Sequence, residues 1–350
     1  MVGDVTGSDD GIGVISDLDL DRELVVTGKV TDVRVLGSMV RLTLAVPGWR
    51  GARSGQFAML RAVGSSRFLP RAFSVHGEPA VHPSAAHPLV SFLVSPTGPG
   101  TYELAHAMLH DEVAVAGPLG RGFDVDGAVR QATTGAADPE VRPRLLFVGG
   151  GVGVAPFLLP MHETVGSVRD AGRPLDLLLL FGFRDSLQAA SLELFEEART
   201  GLEAGSCRIR IEAICEDGSL GREGLVTALL EEELRPTDTV FCCGADAMCR
   251  AVWDVCVSRG APDVWFSLEA GMACGVGSCQ GCVLPAADRR LVRVCREGPV
   301  FRGVDMFGGR TEAPPEVRPE ALGVEPAATG PEGGPEGGSA EGGPAEGGPA

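Results

Sequence analysis

Cys274-Gly275-Val276-Gly277-Ser278-Cys279-Gln280-Gly281-Cys282, followed by Cys295, has the spacing C-x4-C-x2-C-x12-C. Four thiolates at this plant-type ferredoxin spacing predict a [2Fe–2S] cluster. Gly275, Gly277 and Gly281 let the backbone wrap closely and turn N–H groups toward sulfur. A structural zinc site is the competing reading. Zinc favours paired C-x2-C knuckles, and this stretch has a single one inside a glycine-rich loop. A one-electron centre needs a donor and an acceptor, so the rest of the chain must supply a way in and a way out.

Upstream, Phe147-Val148-Gly149-Gly150-Gly151-Val152-Gly153-Val154-Ala155-Pro156 reads as strand, glycine loop and helix start. Glycines allow backbone to approach a pyrophosphate, and free N–H groups at the helix start suit its charge. Pro156 fits the first helical turn. Gly149, Gly150, Gly151, Gly153 and Pro156 are therefore candidate dinucleotide residues, against the alternative of a tight structural turn. The loop is not the G-x-G-x-x-G fingerprint. The apolar runs Leu145–Val148 and Leu177–Phe181, the strand-like Ile209–Ile214 and Thr239–Cys243, and helices at Ser191–Leu202, Gly224–Leu234 and Asp246–Ser258 alternate as a parallel α/β domain does. Cys243-Gly244 closes a strand at the edge where ligands sit in such sheets. Cys243 could meet a nicotinamide there, or be a buried thiol.

The N-terminal third is β-like. Strands are expected near Leu24–Val30, Met39–Val46, Gln56–Arg61, Ala72–Val75, Leu89–Val94 and Glu112–Ala116, with a short helix at Thr101–Leu109. This predicts an antiparallel barrel or sandwich. Within it, Arg71-Ala72-Phe73-Ser74 offers an arginine for phosphate, an aromatic for a flavin ring and a hydroxyl for a ring nitrogen; an ordinary strand reads the same. Ser95-Pro96-Thr97-Gly98-Pro99-Gly100-Thr101 is a second glycine loop before a helix, and Gly117-Pro118-Leu119-Gly120-Arg121-Gly122-Phe123 a third glycine-rich turn. The six histidines form no metal spacing; His82 and His87 read as loop residues, and His106 and His110 as one helix face.

The expected organisation is an N-terminal tail at 1–20, a β domain at 21–125, a linker at 126–143, an α/β domain at 144–262, a cluster module at 263–310 and a disordered Pro/Glu/Gly tail at 311–350. A net charge of −17 over 350 residues argues against nucleic acid. No apolar run approaches the ~20 residues of a membrane span. The acidic first residues lack signal-peptide character, and Cys207, Cys215, Cys242, Cys243, Cys249 and Cys256 read as reduced, mostly buried thiols. Both predict a cytoplasmic protein.

Together these motifs resemble the ferredoxin–NADP reductase superfamily: a barrel with R-x-[aromatic]-S, a G-x-G-T loop, GGGxGxxP opening the nucleotide domain and CGxxxM near its end. The segment Ser267–Cys282, then Arg293-Val294-Cys295-Arg296-Glu297-Gly298-Pro299-Val300-Phe301, resembles the electron-transfer subunits of dihydroorotate dehydrogenase B. That resemblance covers about 22–307. It implies an FAD-binding β-barrel, an NAD-binding α/β domain and a C-terminal [2Fe–2S] module, with electrons passing from the FMN of a catalytic partner to NAD in pyrimidine biosynthesis. It implies FAD contacts at Arg71, Ala72, Phe73, Ser74, Leu93, Val94, Ser95, Gly100 and Thr101, NAD contacts at the glycine loop with Cys243 and Gly244, and cluster ligands Cys274, Cys279, Cys282 and Cys295. A heterotetramer of two of each chain is implied as well. Ala72-Phe73 departs from the usual Pro-Ile of the family. Rival readings are an FAD/[2Fe–2S] reductase subunit serving a hydrogenase, sulfide dehydrogenase, glutamate synthase or oxygenase, and a zinc-stabilised binding module without catalysis.

Overall fold

The computed structural model describes residues 25–79, 86–135, 142–202, 206–261 and 263–308. The expected tails at 1–20 and 311–350, His82, and residues 136–141 of the expected linker lie outside the described residues.

Strands β1 (Val26–Leu36), β2 (Met39–Ala45), β3 (Phe57–Ala62), β4 (Arg71–Gly77), β5 (Leu89–Val94) and β6 (Glu112–Leu119) close a barrel in the order β1-β2-β5-β4-β3-β6. Every neighbour pairing is antiparallel. Closure leaves no open sheet edge. Leu42 and Leu44 of β2 and Val90, Phe92 and Val94 of β5 fill the interior, each fully buried, as the two-residue period of a strand dictates. Helix α1 (Pro99–Ala105) follows β5. It ends earlier than expected: His106 caps it and His110, at φ 76°, lies beyond it, so the two share no helix face.

A helix, α2 (Val125–Gly135), stands where composition predicts a linker. Its Val125, Ala128 and Val129 are buried. Thr133 and Thr134 turn their hydroxyls back onto the carbonyls of Val129 and Arg130, both at 2.7 Å, which keeps these poor helix formers satisfied.

The second sheet runs β14-β11-β10-β7-β8-β9. Its parallel part is β7 (Arg144–Gly150), β8 (Leu175–Phe183), β9 (Cys207–Cys215), β10 (Thr239–Cys243) and β11 (Val264–Ser267). Helices α3 (Leu158–Ala171), α4 (Ser186–Ala189), α5 (Leu192–Leu202), α6 (Val226–Glu233) and α7 (Asp246–Ser258) connect them. Leu177 to Leu180 of β8 are at most 1% exposed; each such leucine contributes about 1.5–3 kcal/mol. Strand order reverses between β7 and β10, which opens the crevice where open α/β sheets hold ligands. At the other end of β7, Arg144 grips Asp238 through Nε at 3.1 Å and Nη2 at 2.6 Å, a buried forked pair tying β7 to the turn before β10.

The C-terminal module comprises a hairpin of β12 (Val283–Pro285) and β13 (Leu291–Arg293), then α8 (Val294–Glu297), β14 (Val300–Arg302) and α9 (Gly303–Phe307). Strand β14 pairs antiparallel with β11, so the module extends the nucleotide sheet. On its other side Cys282, Val294 and Cys295 pack with Phe57 and Met59 of the barrel.

Candidate flavin, nucleotide and cluster sites

The four module cysteines approach in two pairs. The N–H of Cys279 points at Cys274 Sγ (3.5 Å), and the N–H of Cys295 at Cys282 Sγ (3.4 Å). The N–H of Gly281 points at Cys279 Sγ (3.4 Å). Burial pushes the Cys274 thiol up, but the N–H groups of Cys279, Val276 and Ser278 and the Cys279 side chain bring it down to about 6. Burial, then the adjoining Cys282 thiol, pushes Cys295 up to about 12, and Cys295 also feels Cys274. Four thiols that approach as the pairs Cys274/Cys279 and Cys282/Cys295 are the donor set that would hold a [2Fe–2S] cluster.

Local backbone explains the glycines. Gly275 and Gly277 adopt φ +72° and +84°. A Cβ on Gly275 would lie 2.5 Å from Met59 Cγ, so only glycine lets the loop sit this close to β3. Gly281 has no left-handed φ; Gln280, at φ 55°, takes the sharp turn instead.

A cleft of about 220 Å³ lies where barrel, nucleotide domain and cluster module meet. Ala72, Phe73 and Ser74 of β4, Leu93 and Ser95 at the end of β5, and Thr101 of α1 line it. Val94, between Leu93 and Ser95, points into the barrel core instead. The guanidinium of Arg71 is not in the cleft wall. It lies over Gly100, about 3.1 Å from where a Cβ would stand, and Nη1 donates to the Leu69 carbonyl at 2.7 Å. Thr101 spends its hydroxyl on the turn before α1, donating to Gly98 O and accepting from the N–H groups of Thr97 and Gly98, all at 2.9 Å. From the opposite wall come Val152 and Ala155 of the glycine-loop segment and Cys243 of β10. Burial, then the Glu269 carboxylate, pushes the Cys243 thiol well up, so it stays protonated.

The glycine loop runs into a 3-10 turn, Gly151–Phe157, before α3 begins at Leu158. Pro156 is inside that turn and not in the first turn of the α-helix. The loop is pressed on the β10–α7 turn. A Cβ on Gly153 would overlap the Cys243 carbonyl and stand 2.8 Å from Gly244 Cα, and one on Gly150 or Gly244 would overlap Met248 Sδ. A Cβ on Gly149 would stand 3.0 Å from Phe181 and Val154. Gly150 and Gly151 open onto a second cleft, of about 470 Å³, along the C-terminal strand ends.

A family model described as the iron–sulfur cluster binding domain of dihydroorotate dehydrogenase B matches residues 269–307, which contain all four cysteines. An oxidoreductase NAD-binding domain model matches residues 147–254. The dihydroorotate dehydrogenase B (NAD(+)) electron transfer subunit of Listeria welshimeri is 33% identical over 250 residues, covering 71% of this chain and 85% of the relative. This chain belongs to that family. The subunit of the same name from Caldanaerobacter subterraneus subsp. tengcongensis is 32% identical, with 72% and 87% covered. Two solved structures share the fold: an NADH-dependent reduced ferredoxin–NADP oxidoreductase (TM-score 0.59, 24% identity, 79% of this chain and 88% of that one) and the Amycolatopsis cytochrome P450 reductase GcoB (TM-score 0.52, 19%, 69% and 68%).

In this member of the electron transfer subunit family, several lining residues escape sequence reading. Ser267 of β11, Glu269, Met272 and Pro299 of the cluster module and Phe57 of β3 also line the 220 Å³ cleft. Ser267 ends β11 at the same sheet edge as Cys243, and the strand-end rule that singled out Cys243 would have found it. Met272 and Pro299 carry no local signal. Glu216 and Leu225 of the second cleft lie in loops after β9 and are likewise silent in sequence.

Proposed function

We propose that the chain is the electron-transfer subunit of an NAD-linked dihydroorotate dehydrogenase. It carries electrons from an FMN-bearing catalytic partner to NAD by way of a [2Fe–2S] cluster and FAD, in pyrimidine biosynthesis. The observation that carries the reading is the shared cleft: one space is walled by Ser74 of the barrel, Cys243 of the nucleotide domain and Met272 of the cluster module. Dihydroorotate gives up two electrons and NAD takes a hydride; a bound cluster exchanges single electrons, and a bound flavin converts between those and a hydride.

The chain's own residues position and insulate. Cys274, Cys279, Cys282 and Cys295 hold the cluster, with the backbone N–H groups around them stabilising thiolate charge. Arg71 offers its remaining N–H groups to the flavin's phosphates. Phe73 and Leu93 give the cleft apolar walls, and the Ser74 hydroxyl, which has no partner among the described residues, is free to hydrogen-bond the ring. Neutral Cys243 closes the side facing the nicotinamide. Gly150, Gly151 and Gly153 admit the pyrophosphate, with Gly149, Pro156 and Gly244 shaping the turn. No described residue is needed as a base for dihydroorotate, whose oxidation falls to the partner.

The assembly contains two copies of each subunit and resides in the cytoplasm, in keeping with free buried thiols at Cys207, Cys215, Cys242, Cys243, Cys249 and Cys256. Among the described residues no helix is long and apolar enough to cross a membrane.

Co-expression with a dihydroorotate-oxidising FMN subunit tests the reading. Dihydroorotate-dependent NAD reduction should appear in the complex and be absent from the partner alone. A complex with no such activity, or a purified chain without flavin and iron–sulfur absorption, overturns it. Mass measurement of the complex tests the two-plus-two stoichiometry.

A further inference from the structure

The 470 Å³ cleft crosses three parallel strand ends. Register sets Gly150 of β7 beside Gly182 of β8, and Phe183 of β8 beside Cys215 of β9. One step further along, Gly151, Arg184 and Glu216 all line the same space. Adjacent strands are about 4.8 Å apart, so the backbone at Glu216 stands about 10 Å across the sheet from the glycine loop. With pyrophosphate on Gly150 and Gly151, the ribose of the adenosine half falls over the end of β8, and a glutamate side chain reaching back from β9 meets its hydroxyl edge.

The charges at that corner favour one kind of ribose. Arg184 is the sole basic residue in the cleft's described lining. Its Nε is already paired with Asp185 at 3.2 Å. Asp185 is fixed in turn as the N-cap of α4, accepting the N–H of Gln188 at 2.9 Å; that bond first, and Arg184 after it, hold its carboxyl below the ordinary value. Asp217 adds a further negative charge, close enough to be felt by Asp185, and its own carboxylate is occupied by the N–H of Ser219 at 2.9 Å. Glu216 differs from both. Glu216 lines the cleft, and its carboxylate has no hydrogen bond or ion pair among the described residues. One cation thus stands near three carboxylates, of which only that of Glu216 is unengaged among the described residues.

We propose that Glu216 selects a dinucleotide with a free 2′-hydroxyl, NAD over NADP, by accepting the ribose hydroxyls and repelling a 2′-phosphate. A cis-diol presents two donors to a carboxylate's two oxygens. A 2′-phosphate brings about two negative charges to a corner where Glu216, Asp217 and Asp185 outnumber Arg184, whose Nε already pairs with Asp185. Discrimination therefore comes from a repulsive element as well as an attractive one. This rests on the reading of the cleft as the nucleotide site.

The test uses the flavin- and cluster-loaded full chain, with NADH or NADPH as donor and an artificial dye as acceptor, and ADP or 2′,5′-ADP as competing probes. The Glu216→Gln variant should raise the KM for NADH by about 10-fold, the loss of a hydrogen bond to a charged group, with kcat unchanged. Glu216→Arg should lower the NADH-to-NADPH preference by about 100-fold and make 2′,5′-ADP the better inhibitor. Unchanged flavin absorption checks folding of both variants. A preference that stays within two-fold of wild type in both variants, while NADH remains a substrate, overturns the role of Glu216 alone. A wild-type chain that neither oxidises NADH nor is inhibited by ADP removes the nucleotide reading of the cleft and this inference with it.

Discussion

The Nδ1–H of His76 donates to the carbonyl of Ala155 at 2.8 Å, joining barrel strand β4 to the 3-10 turn behind the glycine loop. Ser74, two residues before His76, and Ala155 itself both line the 220 Å³ cleft. One hydrogen bond therefore registers the two walls against each other. His76 is fully buried, its ring stands edge-on to Phe195 at 5.8 Å, and Nε2 has no partner among the described residues. Protonating Nε2 would bury an unpaired N–H and a charge together.

The consequence is an acid-sensitive stability. Burial lowers His76 to about 4, aided by the charges of Arg41 and His162 and opposed by the bond to Ala155. The unfolded chain keeps the ordinary value near 6.5, so between pH 6.5 and 4 it binds the proton that the folded chain refuses. Stability is then level above pH 6.5, falls by about 1.4 kcal/mol per pH unit down to 4, and levels again, about 3 kcal/mol lower in all. Carboxylates titrate in the lower part of this range too, so the difference between wild type and His76→Gln isolates the histidine. Urea midpoints at pH 7.5, 5.5 and 4.5 should converge as pH falls; parallel pH profiles would refute the linkage.

Gly153 makes a sharper test of the nucleotide loop. A Cβ there meets backbone on β10 and not a yielding side chain. Gly153→Ala should displace the loop, at a cost of about 1–3 kcal/mol, and raise the KM for NADH about 10-fold or more. Flavin and iron–sulfur absorption should persist. An unaltered KM would mean the loop does not bear on the dinucleotide.

How far the sequence foretells this molecule depends on where the determining contact lies. The cysteine spacing and the run Phe147–Pro156 carry their geometry locally, because the glycine turn is fixed within its own run and the four thiols within the single span Cys274–Cys295. Helix α2 was hidden although Val125, Ala128, Val129 and Ala132 are spaced for one helix face. Two threonines and a glycine at its end mask that stripe, and packing against the neighbouring core decides the outcome. Strand β14 is three residues long and is defined by its partner β11, not by a pattern of its own. Val94 shows the limit at single-residue scale: the strand was legible, but which face met the cleft required the barrel.

The contact between cluster loop and barrel yields a prediction on Gly275. Alanine there must accept φ +72° and crowd Met59, itself 2% exposed. Left-handed backbone costs a non-glycine residue about 1 kcal/mol, and the displaced Met59 adds to it. Gly275→Ala should lower iron content and visible absorption of the cluster per flavin. Met59→Ala in the same chain should restore part of it by relieving the overlap. Full cluster occupancy in Gly275→Ala would show that the loop tolerates retreat from β3.

The four cysteines differ in what surrounds them, and this separates electron transfer from folding. Cys279 is exposed, whereas Cys282 and Cys295 are buried against Phe57 and Met59. Replacing Cys279 by serine removes a ligand without opening the core, so the barrel and nucleotide cleft should persist. Cys279→Ser should abolish dihydroorotate-dependent NAD reduction in the complex while NADH–dye activity of the subunit stays largely intact, because FAD and NAD meet without the cluster. Cys282→Ser should abolish the same transfer and also destabilise the subunit, because it places a polar hydroxyl among Phe57, Met59 and Val294. Chelating the iron from wild type should reproduce the Cys279→Ser pattern. Equal loss of both activities in Cys279→Ser would instead make the cluster a structural element of the whole chain.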